Sequence, residues 1–342
     1  MGGETRPRSR KRRAERRSLT ITRRREDDAF VYLRRGRRIR SRREIERIEA
    51  LVIPPAWEEV RIAHSPRAKV LAIGVDQAGR RQSIYHPSFR RRREREKYAR
   101  LTEFADALPK LRARVDRDLR RRGLPKDRVV ACVIRLIDLH YFRVGNHRYA
   151  ELHQSYGVTT LTEEHVEASA GGLRFDFTGK SGKRQRVRAR DARAARVVSQ
   201  LLEIPGPEVF RFFDEDGVLR RVRSRDVNAY VRRHTGGGAF TAKDFRTWGG
   251  TLIACAELFA SDAESWASPE SRAAATRAIV QRVAERLGNT PAVAKGSYIA
   301  PRLLELCEDP EAIEAARRER SRLRERTHFS VDEQSLVRIL RS

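Results

Sequence analysis

The sequence contains few cysteines and no long apolar segment. Only three cysteines occur among its 342 residues: Cys132, Cys255 and Cys307. Their wide spacing and odd number argue against a disulfide framework and against a paired-cysteine zinc site, and they favour a cytoplasmic protein. No stretch approaches the roughly 20 apolar residues of a membrane-spanning helix, so we expect no membrane span.

Acidic residues are also few in comparison with basic ones. Asp and Glu number 46 against 75 Lys and Arg, which gives a formal net charge of +29. Such an excess opposes self-association and favours a polyanionic partner, of which nucleic acid is the obvious candidate. Apolar residues make up 39% of the chain, enough to form genuine cores. Because the length exceeds the usual size of one core, we expect a two-lobed monomer.

Neither a metal site nor a nucleotide site is indicated. The Gly179-Lys180-Ser181 triplet resembles part of a phosphate-binding loop, but Arg174 occupies the position where that loop requires a glycine. The acidic groups do not cluster with histidine, and we interpret them as surface charge: Asp27-Asp28, Glu163-Glu164 and Asp214-Glu215-Asp216. We therefore expect no metal, no cofactor and no nucleotide.

The N-terminal part of the chain predicts a basic arm followed by a small sheet. Residues 1–25 are crowded with arginine and lack an apolar centre, which is typical of a solvated, disordered arm. From Ala29 to about Tyr85, short strand-like segments alternate with turn residues, and VDQAGRRQSIYH indicates a hairpin. We expect residues 26–90 to form an antiparallel β lobe with minor helices.

Residues 91–342 predict a larger, mainly helical lobe. A basic run leads into a long amphipathic helix, and VVACVIRLIDLHYF is apolar almost all round, as expected of a central buried helix. The segments LRFDF and RQRVRA alternate on either side of TGKSGK, which places Lys180 at a hairpin tip. The expected fold class is therefore α+β, with a small β hairpin inside the helical lobe.

Two further helices carry residues of chemical interest. Thr241 and Asp244 predict a capped helix start, with Arg246 in the first turn and Phe245, Trp248, Leu252 and Phe259 forming a core stripe. Thr290-Pro291 predicts the start of a short helix that Pro301 stops, leaving Tyr298 near its end.

These residues together could cleave a phosphodiester without a metal. That reaction needs a nucleophile, cations for the transition state and an acid for the leaving oxygen. Tyr298 offers the nucleophile, Arg143 and Arg246 offer guanidinium groups that match phosphate geometry, and Lys180 offers a proton. Each alone has an ordinary explanation: a core aromatic, a salt bridge or phosphate contact, and an exposed turn lysine.

Taken in order, the motifs resemble the bacterial and poxviral branch of the type IB DNA topoisomerases. The resemblance covers about Ala29 to Glu305 and rests on GVDQAGRRQSIYH, YFRVGN, YGVTTLTEEHV, FTGKSGK, AKDFRTW and LGNTPAVAKGSY. It implies a helical catalytic lobe of the tyrosine recombinase type, and a first lobe that closes with it as a clamp around double-stranded DNA.

The resemblance also implies roles for individual residues. Tyr298 becomes the covalent nucleophile, Arg143, Lys180 and Arg246 stabilise the transition state, and Lys180 and Arg143 help to protonate the leaving 5′-hydroxyl. Asn289 stands where poxviral members have a histidine, so an amide would contact a nonbridging oxygen. Expected DNA contacts are Arg80, Arg81, Gln82, Tyr85 and Lys243; for Tyr85, simple packing on the sheet is almost as good an explanation.

The expected reaction is relaxation of supercoiled DNA through a 3′-phosphotyrosyl link, without ATP or metal, by a monomeric bacterial enzyme at the nucleoid. Two alternatives remain open. A tyrosine recombinase shares the catalytic residue types, although Lys243 stands where recombinases usually have histidine. A noncatalytic nucleic-acid-binding protein would share the charge but would leave the ordered motifs unexplained.

Overall fold

The first sheet belongs to the N-terminal of two units, which divide between Lys97 and Tyr98. The structure is a computed structural model that describes residues 18–27, 29–237 and 240–342. Among these residues, the N-terminal unit has six strands in the order β3-β2-β1-β4-β5-β6, with all neighbours antiparallel. The strands are β1 (Ile21–Glu26), β2 (Ala29–Arg34), β3 (Arg37–Arg38), β4 (Glu58–Ile62), β5 (Val70–Val75) and β6 (Arg81–Tyr85).

One face of this sheet forms the core of the N-terminal unit. Ile21, Ile62 and Ala72 are fully buried there, and Ile48 from helix α1 (Arg42–Glu49) packs against them. Burial alternates along β6, as expected of a strand with one covered face. The hairpin that joins β5 to β6 confirms the interpretation of VDQAGRRQSIYH.

The predicted disordered arm extends too far along the chain. Residues 1–17 lie outside the described residues, but Ile21–Glu26 form β1, so the prediction of disorder up to residue 25 is wrong there. Ile21 is fully buried and pairs with Arg34 on one side and with Ile62 on the other. A single buried isoleucine, pairing with β2 along the whole strand and pairing of Ile21 and Thr22 with β4 hold a strand whose other residues are largely arginine.

The helical unit contains the long helices that the apolar spacing predicts. The apolar face of helix α2 (Pro87–Leu119) is buried at every predicted position, namely Leu101, Phe104, Leu108, Leu111, Val115 and Leu119. Helix α3 (Lys126–His140) is buried on nearly all sides, which confirms it as the central helix. The helices from here to the C-terminus are α2 (Pro87–Leu119), α3 (Lys126–His140), α4 (His147–His153), α5 (Ala192–Leu202), α6 (Ser224–His234), α7 (Ala242–Ala260), α8 (Pro269–Leu287), α9 (Pro291–Tyr298), α10 (Pro301–Leu306), α11 (Pro310–Ser321) and α12 (Val331–Arg341).

Two small antiparallel sheets interrupt the helices. The strands β7 (Val166–Ser169), β8 (Gly172–Thr178) and β9 (Arg184–Ala189) form one, and β10 (Arg211–Phe213) and β11 (Leu219–Arg221) form the other. Lys180 lies in the turn between β8 and β9, as predicted. The α+β fold class is confirmed.

The end of α9 differs in one respect from the prediction. Thr290 caps the helix and Tyr298 is its last residue, but Pro301 begins a new helix instead of only ending the previous one. Ala300 is extended because the residue before a proline disfavours the helical conformation. Within the described ranges, no helix is long and apolar enough to cross a membrane.

Candidate active site

Arg143 is placed by the abrupt end of α3. Tyr141 adopts a left-handed conformation at φ 56°, and its N–H donates to the Ile137 carbonyl at 2.8 Å. The chain therefore leaves the helix sharply, and Arg143 follows two residues later. Its Nη2 donates to Oδ1 of Asn289 at 2.7 Å, across 146 residues of sequence. Burial lowers the pKa of Arg143 from its ordinary value.

Arg246 is a buried cation held by two helix ends. It lies in the first turn of α7, where Thr241 N–H and Oγ1 donate to Oδ2 of Asp244 at 2.7 and 2.9 Å, which confirms the predicted cap. Only 6% of Arg246 is exposed. Its Nη1 donates to the Tyr141 carbonyl, and its Nη2 donates to the Leu287 carbonyl at 2.7 Å. Carbonyls at helix C-termini carry partial negative charge, which suits a guanidinium.

Asn289 presents an unused donor to the site. Its Oδ1 faces Arg143, which can only donate, so the amide orientation is fixed and Nδ2 points elsewhere. That Nδ2 atom is buried and has no hydrogen-bond partner among the described residues. Buried donors are nearly always satisfied in folded proteins, so an orphaned one indicates a position where a ligand oxygen can bind.

Tyr298 is half-buried, next to Arg246. The Cζ atom of Arg246 lies 5.3 Å from the centroid of the Tyr298 ring. Burial opposes ionisation of the phenol, but the positive charges of Arg246, Arg143 and Lys243 outweigh burial and lower the pKa of Tyr298 from its ordinary value of 10. Burial and the nearby charge of Arg143 in turn lower the pKa of Arg246 to about 10.

The β8–β9 hairpin contacts the same region through residues near its tip. Lys183 Nζ donates to the Asn289 carbonyl at 2.6 Å. Gly288 adopts φ +61°, and a Cβ atom there would lie 2.7 Å from Nε2 of Gln185. Lys180 is exposed, and in the described part of the chain its side chain forms no hydrogen bond or ion pair. The structure thus gathers four of the five predicted catalytic residues and leaves Lys180 at a free tip beside them.

The other predicted DNA contacts lie mainly on the β5–β6 hairpin of the N-terminal unit. Asp76 accepts hydrogen bonds from Arg80 Nε at 2.8 Å and from Gln82 Nε2 at 2.7 Å, so one carboxylate orders both side chains. Arg81 and Tyr85 are exposed on the opposite strand face. Tyr85 is 40% exposed, and its ring centroid lies 5.4 Å from that of Phe89. In the helical unit, Lys243 is exposed on α7, one turn before Arg246.

Sequence reasoning missed the residues that let the site assemble. A Cβ atom on Gly249 would lie 2.1 Å from Cε1 of Tyr141, and one on Gly250 would lie 2.7 Å from both Cβ and the carbonyl oxygen of Tyr298. Thr251 Oγ1 also bonds to the main chain beside Tyr298. The available signal was the pair of glycines inside a helix, which is unfavourable unless packing requires it.

The candidate site contains cations and an amide but no cluster of acidic side chains. Among the described residues, no group of three or more His, Cys, Asp or Glu side chains could hold a metal ion. The arrangement of a phenol, two guanidinium groups and a free amide donor fits a phosphate that is attacked by the phenol.

Comparisons with known proteins agree on one family. Residues 86–326 match the family described as eukaryotic DNA topoisomerase I, catalytic core, and residues 29–76 match the bacterial DNA topoisomerase IB N-terminal domain. The chain is 34% identical to DNA topoisomerase 1B of Acanthamoeba polyphaga mimivirus over 271 residues, which cover 77% of this chain and 80% of the relative. It is 20% identical to DNA topoisomerase 1B of vaccinia virus over 264 residues, 76% of this chain and 78% of the relative.

Proposed function

Because the chain belongs to the type IB DNA topoisomerase family, we propose that Tyr298 is the nucleophile of its reaction. The enzyme relaxes DNA by transient cleavage and religation, without ATP. The family match favours relaxation over recombination or simple nucleic-acid binding, the two alternatives that the sequence left open. We further propose that the enzyme acts as a monomer on double-stranded DNA at the cytoplasmic nucleoid, which the net charge of +29 supports.

The first step is attack by Tyr298 on a backbone phosphate. The phenol loses its proton to solvent, its oxygen bonds to phosphorus, and the bond between phosphorus and the 5′ oxygen of the next nucleotide breaks, which leaves a 3′-phosphotyrosyl link. A free tyrosine is a poor nucleophile near neutral pH because it is protonated. The cations around Tyr298 lower its pKa, so less free energy is needed to reach the reactive phenolate.

Arg143, Arg246 and Asn289 stabilise the charge that develops on the phosphate. Both guanidinium groups keep their charge and present paired donors, and the free Nδ2 of Asn289 offers a neutral donor to a nonbridging oxygen. Because protein groups already hold these donors in place, little reorganisation is needed when the transition state forms.

Lys180 donates the proton that the leaving 5′ oxygen requires, with help from Arg143. Its hairpin is anchored to the Asn289 backbone through Lys183, so the tip borders the site while the Lys180 ammonium stays free to reach bound DNA. Religation reverses these steps: the 5′-hydroxyl attacks phosphorus, its proton passes back, and the phenol is released. The phosphotyrosyl bond conserves the phosphodiester energy.

The observation that carries the proposal is the pairing of Arg246 with the Tyr298 ring beside the Arg143–Asn289 contact. We predict that Tyr298→Phe abolishes plasmid relaxation while DNA affinity in a filter-binding assay stays near that of the parent enzyme. The aromatic ring is retained, so only the attacking oxygen is lost.

A chelator should leave relaxation by the parent enzyme unchanged.

The matched control is Tyr32→Phe. Tyr32 lies in β2 of the N-terminal unit and is buried in its core, so loss of its hydroxyl should leave relaxation intact. Relaxation by the Tyr298→Phe variant at a rate near that of the parent enzyme would refute the assignment of the nucleophile.

A further inference from the structure

We infer that Thr251, together with Gly250, is a positioning residue that fixes the main chain of Tyr298 onto the helix that carries Arg246. The inference rests on the proposed role of Tyr298 as nucleophile and goes on to identify the residues that hold its main chain in place. Both residues lie in α7, within five positions of Arg246, and Thr251 is fully buried.

The Thr251 hydroxyl bonds to main-chain groups of Tyr298 and Ala300, the residues on either side of Ile299. Its Oγ1 lies 3.0 Å from the Tyr298 carbonyl, to which it donates, and accepts from the Ala300 N–H at 3.2 Å. Both groups lie where α9 has ended, so they lack the partners that a continuing helix would provide. The hydroxyl supplies those partners and ties the end of α9 to α7.

A purely local role for this threonine explains less. Threonine hydroxyls inside helices often bond to the carbonyl four residues earlier, and Thr251 Oγ1 does lie 3.1 Å from the Thr247 carbonyl. A hydroxyl has only one proton to donate, so the two carbonyls share it. The bond accepted from Ala300 has no such local counterpart and exists only because the two segments meet.

Gly250 allows the close approach that the Thr251 bonds require. A Cβ atom at position 250 would lie 2.7 Å from both Cβ and the carbonyl oxygen of Tyr298, and 3.1 Å from Cδ1 of Leu287. Two of these three neighbours belong to the nucleophile itself, and one of them is backbone. Any larger residue would push the end of α9 away from α7.

The consequence is that one helix sets the position of both the guanidinium and the phenol. Arg246 lies near the start of α7, and the Tyr298 main chain packs against Gly250 and Thr251, four and five residues further along the same helix. The Cζ atom of Arg246 lies 5.3 Å from the centroid of the Tyr298 ring, and the bonds of Thr251 hold the main chain from which that ring extends. Small misplacements of reacting groups can cost about 100-fold in rate, so loss of the contact between α7 and the Tyr298 main chain should slow cleavage.

The test compares Thr251→Val with Thr251→Ser by their single-turnover rates of DNA cleavage, measured with duplex DNA at a concentration that saturates the enzyme. Valine has the shape of threonine but cannot bond to Tyr298 or Ala300, whereas serine keeps the hydroxyl. We expect the valine variant to cleave about tenfold or more slowly and the serine variant to stay within about threefold of the parent enzyme. DNA affinity should not change in either.

Thr247→Val is the matched control. Thr247 is buried in the same helix, and within the described part of the chain its hydroxyl donates only to the Lys243 carbonyl of that helix, at 3.4 Å. A merely structural role would affect folding without moving the pH dependence. We expect the midpoint of the pH–rate profile to rise in Thr251→Val, because the phenol moves away from its cations, and to stay unchanged in Thr247→Val.

Gly250→Ala gives a second route to the same displacement, without weakening the helix, because alanine favours helices more than glycine does. It should also slow cleavage. The melting temperature of Thr251→Val shows whether the variant is folded. The inference is overturned if the folded Thr251→Val variant cleaves like the parent enzyme, or if Thr251→Ser cleaves as slowly as Thr251→Val. A Tyr298→Phe variant that still relaxes DNA would instead refute the proposed function.

Discussion

At the scale of single residues, the central feature is the competition between burial and charge around Tyr298. Burial alone would hold the phenol in its neutral form. Arg246 and Arg143 are themselves partly desolvated, so their charges are less screened by water and act more strongly on the phenol. The net result is a lowered pKa for Tyr298.

This electrostatic arrangement makes the pH dependence of cleavage a testable property. The rate should rise about tenfold per pH unit below its midpoint, because the phenolate is the reactive form, and the midpoint should lie below the ordinary value for tyrosine. Lys243→Ala removes one of the cations that lower the pKa of Tyr298, so the midpoint should move up. The measurement is single-turnover cleavage at saturating DNA across the alkaline range.

The control for that experiment is Lys110→Ala, which removes the same charge from an exposed position on α2. It should leave the midpoint in place. If Lys243→Ala and Lys110→Ala have the same midpoint as the parent enzyme, the charge of Lys243 does not act on the nucleophile.

Individual site residues could be predicted from sequence where the signal was local or part of an ordered motif. The two residues of the Thr241–Asp244 cap are three positions apart, and its prediction is confirmed. The carbonyl partners of Arg246 could not be predicted, because Tyr141 and Leu287 lie 105 and 41 positions away and contribute main-chain oxygens that every residue possesses. For the same reason the role of Thr251 is visible only in the fold.

At the scale of elements, the C-terminal helix α12 is joined to the helices that carry the site. Glu333 is only 3% exposed. Its carboxylate accepts from Arg112 of α2 at 2.8 and 2.9 Å and from Trp248 Nε1 of α7 at 3.2 Å. Arg112 also donates to Asp138, near the end of α3, at 2.7 and 2.9 Å. One buried ionic network thus connects α2, α3, α7 and α12.

Loss of Glu333 should therefore destabilise the helical unit. Removing one partner of a buried ionic network leaves uncompensated groups and typically costs about 3 kcal/mol or more. We expect Glu333→Ala to reduce the free energy of unfolding by about that amount in a urea titration. Trp248 and Ser330 would also lose an acceptor for their N–H groups.

Glu319→Ala, in the neighbouring helix α11, is the comparison. Glu319 pairs with Arg338 at 3.7 Å, but the two side chains are 58% and 51% exposed, so water screens the pair. Its loss should cost less than about 1 kcal/mol. Equal unfolding midpoints for the two variants would show that the Glu333 network does not stabilise the unit.

Elements with a strong apolar period could be predicted, whereas those held by long-range pairing could not. The buried positions of α2 follow the helical repeat, and the β8–β9 hairpin follows from alternation on both sides of a glycine turn. Strand β1 has only one buried isoleucine among its arginines, so its sequence resembles the solvated arm before it. Its partner β4 lies some 40 residues away, a pairing that no local pattern indicates.

At the scale of the whole molecule, the chain divides into a β-rich unit and a larger helical unit. The units divide between Lys97 and Tyr98, a few residues beyond the predicted boundary at residue 90. Both positions fall inside α2, where the chain continues as one helix and offers no turn residue to mark the boundary. Each unit contributes basic side chains that could contact DNA, including Arg81 and Lys243.

The account as a whole depends on a covalent bond between Tyr298 and the 3′ end of a cut strand. The most direct measurement is a denaturing gel of the enzyme mixed with duplex DNA labelled at one end of the cleaved strand. With the label at the 5′ end, the labelled fragment should migrate attached to protein, and this adduct should be absent with Tyr298→Phe. With the label at the 3′ end, the fragment should run free. An adduct that persists in the Tyr298→Phe variant, or one that carries the 3′-end label, would contradict the account.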